Sequence, residues 1–271
     1  MKLVIVLVVT TLISMIETVS YSARLSGART GRIGTSTSLF NILVVFSRFA
    51  VMLQLFFLAS VVEEAINSHN VDGLDVKLHY VLLSMSGGIL LGMMFVPTVA
   101  RVLEIGTYKL DEHGSFPRII MSEGILRILL RLPSQFWLPA IRSNLRQIRT
   151  VKLGYTFFVL NAAIFSFYSI ANLSALFAGA MMPNDRLQAS MLASVINGVG
   201  TILLVIFVDP ISAKLLDDVV MEKRPLRDLK ASIFQLGLGR LLGTFIAQLL
   251  LWPFAKFISW IVWVSKHGFF G

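Results

Sequence analysis

A carboxylate, a phenol and a guanidinium lie at helical spacing near the end of the first apolar segment. Glu17, Tyr21 and Arg24 occupy positions i, i+4 and i+7, so their side chains share one face of a helix. In the stretch that follows, glycines alternate with basic residues: Gly27, Arg29, Gly31, Arg32 and Gly34. This pattern predicts a loop in which accessible backbone N–H groups lie beside the positively charged arginines. Such an arrangement suits the binding of an anion.

Arg48 stands well inside the second apolar segment and is seven residues from Asn41, on the same helical face. A cation at membrane depth costs roughly 2.5–3.5 kcal/mol on insertion scales, so it is treated as functional by default. The alternative is structural, with Arg48 pairing with an interior acid, Glu17 or Glu63, to hold the helices together. The sequence leaves both interpretations open.

The composition is that of an integral membrane protein. Of the 271 residues, 56% are hydrophobic and only 14% are charged, and the mean hydropathy is +0.79. The chain has no cysteine, which excludes disulfides and thiolate metal sites, and we expect no cofactor. The net charge of +9 is expected to face anionic lipid in cytoplasmic loops, so the partners should be membrane lipids rather than nucleic acid.

Six apolar segments predict one polytopic all-α membrane domain over residues 1–271. They run near residues 3–16, 39–62, 78–102, 153–178, 187–208 and 234–264. The first segment is short and follows Lys2, so a cleaved signal peptide is an alternative. Because its apolar face continues through Val19 and Ala23, we expect this segment to be retained as a helix.

Basic residues predict the orientation. The loops after the first, third and fifth segments hold 17 lysines and arginines, whereas the other two loops and both termini hold 5. The positive-inside rule therefore places the three basic loops in the cytoplasm and both termini outside.

The stretch at residues 103–152 is too long for a simple connection and too apolar for a disordered one. Basic residues recur in it at helical spacing: Arg127, Arg131, Arg142, Arg146 and Arg149. We expect amphipathic helices on the inner membrane surface, broken at Pro133 and Pro139. Their arginines could anchor the helices to anionic headgroups or, alternatively, capture a substrate.

A short motif of small residues occurs twice. S-A-x-x-[S/A]-G-A stands at residues 22–28, after the first segment, and again at residues 174–180, after the fourth. Two halves of three helices each, residues 1–102 and 153–271, would have opposite orientations in the membrane. The motif therefore indicates a 3+3 inverted repeat, as in many transporters.

Polar side chains inside the predicted helices suggest a binding site for an anionic headgroup. Guanidinium groups suit phosphate oxygens, and the candidates are Arg24, Arg29, Arg48, Arg101 and Arg240. Amides could bind sugar or could simply bond helix to helix: Asn41, Gln54, Asn161, Asn172, Asn197 and Gln248. A membrane enzyme such as an undecaprenyl-pyrophosphate phosphatase would need an acidic pair and a Pro-Gly-x-Ser-Arg-Ser loop, and this sequence has no such loop. We expect no enzymatic activity.

Three segments carry a family resemblance that runs essentially end to end: IETVSYSARLSGARTGRIGTSTSLFNILVVFSR, SVINGVGTILLVIFVDPISAKLLDD and GRLLGTFIAQLLLWPFAKFI. They resemble the Amj family, the alternate lipid II flippases of bacteria. The resemblance implies movement of undecaprenyl-pyrophosphate-linked disaccharide pentapeptide, lipid II, to the outer leaflet of the bacterial cytoplasmic membrane for peptidoglycan synthesis. It supplies no set of functional residues, so the binding residues rest on the chemistry above: Glu17, Arg24, Arg29, Asn41, Arg48, Arg101 and Arg240.

Together these observations predict a six-helix flippase with a cationic cavity. A non-transporting scaffold, a lipid-binding protein and a transporter of another polyprenyl-linked glycan are the alternatives. Six helices make a thin wall around so large a headgroup, which favours a homodimer. Gly87, Gly88 and Gly92 are a candidate contact face for that dimer.

Overall fold

The described backbone is almost entirely helical. The computed structural model describes residues 1–114 and 155–268, and no strand occurs in these two ranges. The helices are α1 (Lys2–Ser20), α2 (Ser22–Thr30), α3 (Ile33–Asn67), α4 (Val71–His113), α5 (Tyr155–Met181), α6 (Arg186–Leu203), α7 (Asp209–Val220) and α8 (Leu226–His267). A 3-10 turn, Pro183–Asp185, precedes α6, and a π-helical turn, Leu204–Val208, joins α6 to α7.

Six helical segments in the described ranges are long and apolar enough to cross a membrane, which confirms the predicted six-span all-α class. They are longer than the apolar segments because the helices continue into polar sequence. α4, for example, extends to His113, so the first part of residues 103–152 prolongs the third span. The predicted interfacial helices lie mostly in residues 115–154, outside the described residues.

The predicted glycine-rich loop was largely wrong, because residues 22–30 form α2. Gly27 is buried in this helix, where a Cβ would collide with the Ser36 hydroxyl of α3. Gly27 therefore lets α2 pack closely on α3 rather than exposing an N–H group. The chain turns at Gly31, whose φ of +70° favours glycine.

Glycines on α4 allow it to pack closely against α1. A Cβ at Gly88 would lie 2.8 Å from the Cβ of Ser14, and one at Gly92 would lie 2.6 Å from the Cβ of Thr18. Gly88 and Gly92 thus serve contacts inside the chain, and their assignment to a dimer face was wrong. Gly87 has open space beside it. The homodimer itself stays a prediction.

The second half of the chain packs in a similar way. α5 packs mainly against α8 and α6, as α1 packs mainly against α4 and α3. Gly239 and Gly243 of α8 face α5, and a Cβ at Gly243 would lie 2.8 Å from the carbonyl oxygen of Ala162. These glycines have the same four-residue spacing as Gly88 and Gly92 on α4.

Both copies of the small-residue motif also lie at the first hairpin of their half. Gly27 faces Ser36 across the turn from α2 to α3, and Gly179 faces Arg186 across the turn from α5 to α6. The halves differ in their second span. α3 is one continuous helix, whereas the corresponding segment, α6 followed by α7, is interrupted by the π-helical turn. The inverted repeat and its division of the chain stay predictions that these parallels favour.

Two apolar clusters occupy opposite ends of the bundle. One is built on residues such as Val6, Leu58 and Ile258, near the ends of the helices that hold the chain termini. The other includes Leu25, Phe157 and residues of α7 at the opposite end. The polar groups described next lie between these clusters.

Candidate functional site

A buried ion pair links the first and last spans. The Arg240 guanidinium of α8 donates through Nη2 to Oε2 of Glu17 on α1, and the side chains are 4% and 15% exposed. Ser47 of α3 donates to Oε1 of the same carboxylate at 3.0 Å. The guanidinium carbon of Arg240 is 4.3 Å from the centroid of the Phe165 ring. Three helices therefore meet at one carboxylate, and Nε of Arg240 is a buried donor with no hydrogen-bond partner among the described residues.

Arg48 bonds to a phenol rather than to an acid. It lies on α3 about 22 Å along the helix from Ile33, at 1.5 Å per residue. Its Nη1 donates to the hydroxyl of Tyr168 on α5 at 2.7 Å, and its guanidinium carbon is 5.3 Å from the centroid of that ring. Glu17 is held by Arg240, and Glu63 is paired with Arg186 at 2.9 Å. The acids that the sequence offered to Arg48 are thus engaged elsewhere.

Arg24 forms a second pair between the halves. Its Nη2 lies 3.0 Å from Oδ1 of Asp209, the first residue of α7, and its guanidinium carbon is 5.4 Å from the centroid of the Tyr21 ring. Nη1 of Arg24 is buried without a hydrogen-bond partner in the described part of the chain. Glu17 lies on α1 and Arg24 on α2, with Tyr21 between the two helices, and each of the two charges is paired with a distant helix.

A cavity of about 210 Å³ lies between these groups. Its polar and charged lining comes from five spans: Glu17, Ser20, Tyr21, Arg48, Asn161, Tyr168, Thr201, Asp209 and Arg240. Phe40, Val44 and Arg48 of α3 form one wall, and Gly200, Thr201 and the π-helical residues Leu204 and Val205 form the facing wall. Arg48 and Val205 are exposed, so the cavity reaches the surface between α3 and the π-helical turn. That opening faces the side of the bundle, where the bilayer would be.

The described lining of the cavity is charge-balanced rather than simply cationic. It holds two arginines, Arg48 and Arg240, and two acids, Glu17 and Asp209, so for the described residues the expectation of a cationic cavity was wrong. Arg240 and Arg24 are each bound to one of the acids. Arg48 differs because its partner is a neutral hydroxyl. Arg48 is therefore the lining cation best placed to bind an additional anion.

The remaining predicted site residues lie away from this cavity. Arg29 pairs with Glu104. Arg101 is part-buried on α4, and Asn41 is exposed on α3. None of these three is among the described residues that line the cavity. The structure thus brings together Glu17, Arg48 and Arg240, with Arg24 adjoining them through Asp209.

Sequence reasoning missed two residues of the site. Tyr168 lies in the apolar run FSFYSI, where a single tyrosine gives little signal. Asp209 lies just beyond the fifth predicted segment, residues 187–208, and its carboxylate binds Arg24. Asn161 lines the cavity, but its Nδ2 donates to the carbonyl oxygen of Leu236 at 3.0 Å, so it also joins α5 to α8.

Comparison with known proteins identifies the family. The family model described as Amj, alternate to MurJ, matches residues 9–262. The chain belongs to the Amj family. A curated member of this family, lipid II flippase Amj of Bacillus subtilis (strain 168), is 34% identical over 257 residues, which cover 92% of this chain and 93% of that protein. No solved structure matches the chain.

The part of the chain matched to the Amj family includes every residue of the cavity described above. The resemblance noted in the sequence is therefore confirmed at the level of the family. The cavity brings guanidinium, carboxylate, hydroxyl and amide groups together among the spans of a member of this family.

Proposed function

We propose that this Amj-family chain is a lipid II flippase that moves the undecaprenyl-pyrophosphate-linked precursor from the inner to the outer leaflet of the bacterial cytoplasmic membrane. The observation that carries the proposal is Arg48, an exposed guanidinium with a neutral partner in a cavity at membrane depth. The relative from Bacillus subtilis is named a lipid II flippase, which supports the same substrate here.

The sideways opening suits a lipid whose tail must stay in the bilayer. A polyprenyl chain can remain in the hydrocarbon between α3 and the π-helical turn while its pyrophosphate enters the cavity. A π-helical turn is a frequent feature of functional sites, and here two of its residues, Leu204 and Val205, line the wall. We infer that the lipid enters through this gap.

The size of the cavity favours the pyrophosphate over the sugars. A volume of about 210 Å³ lies below the roughly 300–1,000 Å³ of a typical pocket for a drug-sized ligand. The disaccharide pentapeptide would therefore have to lie outside the cavity or enlarge it. In the cavity, the pyrophosphate oxygens would bind the guanidinium fork of Arg48 and hydroxyls such as those of Thr201 and Tyr21.

The proposed orientation puts this cavity toward the cytoplasmic half of the membrane. With both termini outside, the end of α1 and the start of α7 lie on the inner side, and Tyr21 and Asp209 mark the inner end of the cavity. Lipid II would then be captured from the leaflet in which it must start. Direction and orientation both rest on the charge asymmetry of the loops.

Two other functions predict different behaviour. A scaffold or a simple lipid-binding protein would bind lipid II without moving it, and a transporter of another polyprenyl-linked glycan would prefer a different headgroup. The polar cavity favours transport over a scaffold, because burying charged groups costs free energy of folding and a scaffold would not require it.

The test is movement of lipid II in proteoliposomes that contain the purified chain. The native protein should expose inner-leaflet lipid II to an outside probe, and Arg48→Ala should remove this activity while still inserting normally. Arg186→Ala is the matched control, since Arg186 is an exposed arginine paired with Glu63 outside the cavity. Full transport by Arg48→Ala at normal abundance would refute the binding role. Binding of lipid II by the native chain without movement would favour the lipid-binding protein.

A further inference from the structure

A second, smaller cavity lies directly behind the first. It has a volume of about 30 Å³ and shares three lining residues with the larger cavity: Glu17, Phe165 and Tyr168. These side chains therefore form a partition with open space on both sides. The hydrogen bond from Arg48 to Tyr168 lies at this partition and joins α3 to α5.

The smaller cavity adjoins the apolar cluster of Val6, Leu58 and Ile258, and its lining is mostly apolar with a few polar groups. Its polar lining outside the partition comes from α1, α3 and α5: Ser14, Gln54, Ser169 and Asn172. A volume of about 30 Å³ exceeds the roughly 10–15 Å³ that a cavity needs to hold one water, and the site offers several polar groups. These polar groups allow the cavity to hold a water molecule.

Amide groups extend the polar character toward α6. Asn197 of α6 donates from Nδ2 to Oδ1 of Asn172 at 2.9 Å. The Oδ1 of Asn197 is buried and has no hydrogen-bond partner within the described residues. A buried acceptor without a partner costs free energy, so this amide is not explained by packing alone.

We propose that the headgroup crosses the outer half of the membrane along the interface between α3 and α5, the α3–α5 seam. Tyr168 is the gate of this route. Gln54, Ser169 and Asn172 line that half. Nε2 of Gln54 donates to Thr10, Oγ of Ser169 donates to the carbonyl oxygen of Phe165, and Oδ1 of Asn172 accepts from Asn197. Oε1 of Gln54 and Nδ2 of Asn172 would bond to sugar hydroxyls. The proposal rests on the proposed flippase function and assigns a path to it. α3 packs mainly against α1, α2 and α4, so the seam can open while most contacts of α3 persist.

The same interaction links binding to opening. Pyrophosphate that binds Nη1 of Arg48 competes with the Tyr168 hydroxyl, because that nitrogen donates to the hydroxyl. Loss of the hydrogen bond releases α3 from α5 at the partition. A ligand can shift a conformational equilibrium only through such a difference in contacts between the two states.

Cysteine accessibility tests the gate without requiring transport. The chain has no native cysteine, so Asn172→Cys supplies a single thiol in the smaller cavity. Tyr168→Phe keeps the ring but removes the hydroxyl that accepts from Arg48. In this background, labelling of Asn172→Cys by a membrane-impermeant maleimide should become about tenfold faster, the effect of losing one charge-assisted hydrogen bond.

Ser174→Cys is the matched control on the same helix, because Ser174 is fully buried and outside both cavities. Its labelling should not change with Tyr168→Phe. Equal acceleration at both positions would mean general loosening of the bundle, and no acceleration at position 172 would mean that Tyr168 closes nothing. Either result would refute the proposal that Tyr168 closes the route.

A second measurement tests the route itself. A bulky maleimide fixed at Asn172→Cys should stop lipid II movement in proteoliposomes and leave lipid II binding intact. Full movement with position 172 quantitatively blocked would place the route elsewhere, while the flippase function would stand. Failure of the flippase function would instead show as absent movement in the unlabelled native chain.

Discussion

Glu17 and Arg240 are separated by 223 residues in the chain, and their side chains form an ion pair that is almost closed to solvent. The pair joins α1 to α8, and Ser47 adds α3 to the same carboxylate. Its position between the two apolar clusters makes it a structural centre of the bundle. It also forms one border of the proposed binding cavity.

The first prediction concerns the stability of this ion pair. Glu17→Gln should lower the free energy of unfolding by about 3–5 kcal/mol, because it leaves Arg240 buried without a counter-charge. The double variant Glu17→Gln/Arg240→Met should recover much of that loss, since no buried charge remains. Thermal melting of the detergent-purified variants measures both. A single variant as stable as the native chain would show that water reaches Arg240.

The second prediction separates charge from geometry at Arg48. Arg48→Lys keeps the charge but loses the planar fork that binds pyrophosphate at two points, so lipid II movement should be only partly retained. Simultaneous Glu17→Gln should not restore transport to Arg48→Ala, because Glu17 is held by Arg240 rather than by Arg48. Transport rates in proteoliposomes at matched protein abundance test this. Rescue by Glu17→Gln would assign Arg48 a structural role instead.

The third prediction concerns the close packing of α8 on α5. Gly243→Ala should destabilise the protein by about 1–3 kcal/mol, because the new methyl group would lie 2.8 Å from the carbonyl oxygen of Ala162. Gly198→Ala is the control, as an added Cβ at Gly198 meets nothing within 4 Å. Melting temperatures of the two variants should differ clearly. Equal melting temperatures would mean that α8 can move away from α5 without cost.

The fourth prediction concerns membrane orientation. Single cysteines at Ser68, between α3 and α4, and at Arg127, in the long basic segment, should react differently with an impermeant maleimide in intact cells. Position 68 should be labelled and position 127 protected, because 17 basic residues lie in the loops assigned to the cytoplasm and 5 lie in the other two loops and the termini. The reverse pattern would invert the topology and place the cavity toward the outer leaflet.

Local sequence determined the secondary structure and the number of spans. Apolar segments of about 20 residues must satisfy their backbone groups internally in a bilayer, so they form helices whatever their neighbours are. The same reasoning required a polar environment for Arg48, and the cavity provides one. Helix ends were less predictable, since α2 and the last residues of α4 continue into polar sequence that has no hydropathy signal.

Tertiary packing decided which polar groups meet. Glu17 could have paired with Arg48 by its position in the sequence. The packing of α8 against α5 and α4 instead brings Arg240 to Glu17, and Tyr168 becomes the partner of Arg48. Such choices depend on the rotation and depth of each helix relative to its neighbours. Spacing within one helix shows that Gly88 and Gly92 share a face, but only the packed bundle shows that this face meets α1. A pattern along one helix fixes which residues lie together on its surface, whereas the partner of that surface is set by the packing free energy of all the helices at once.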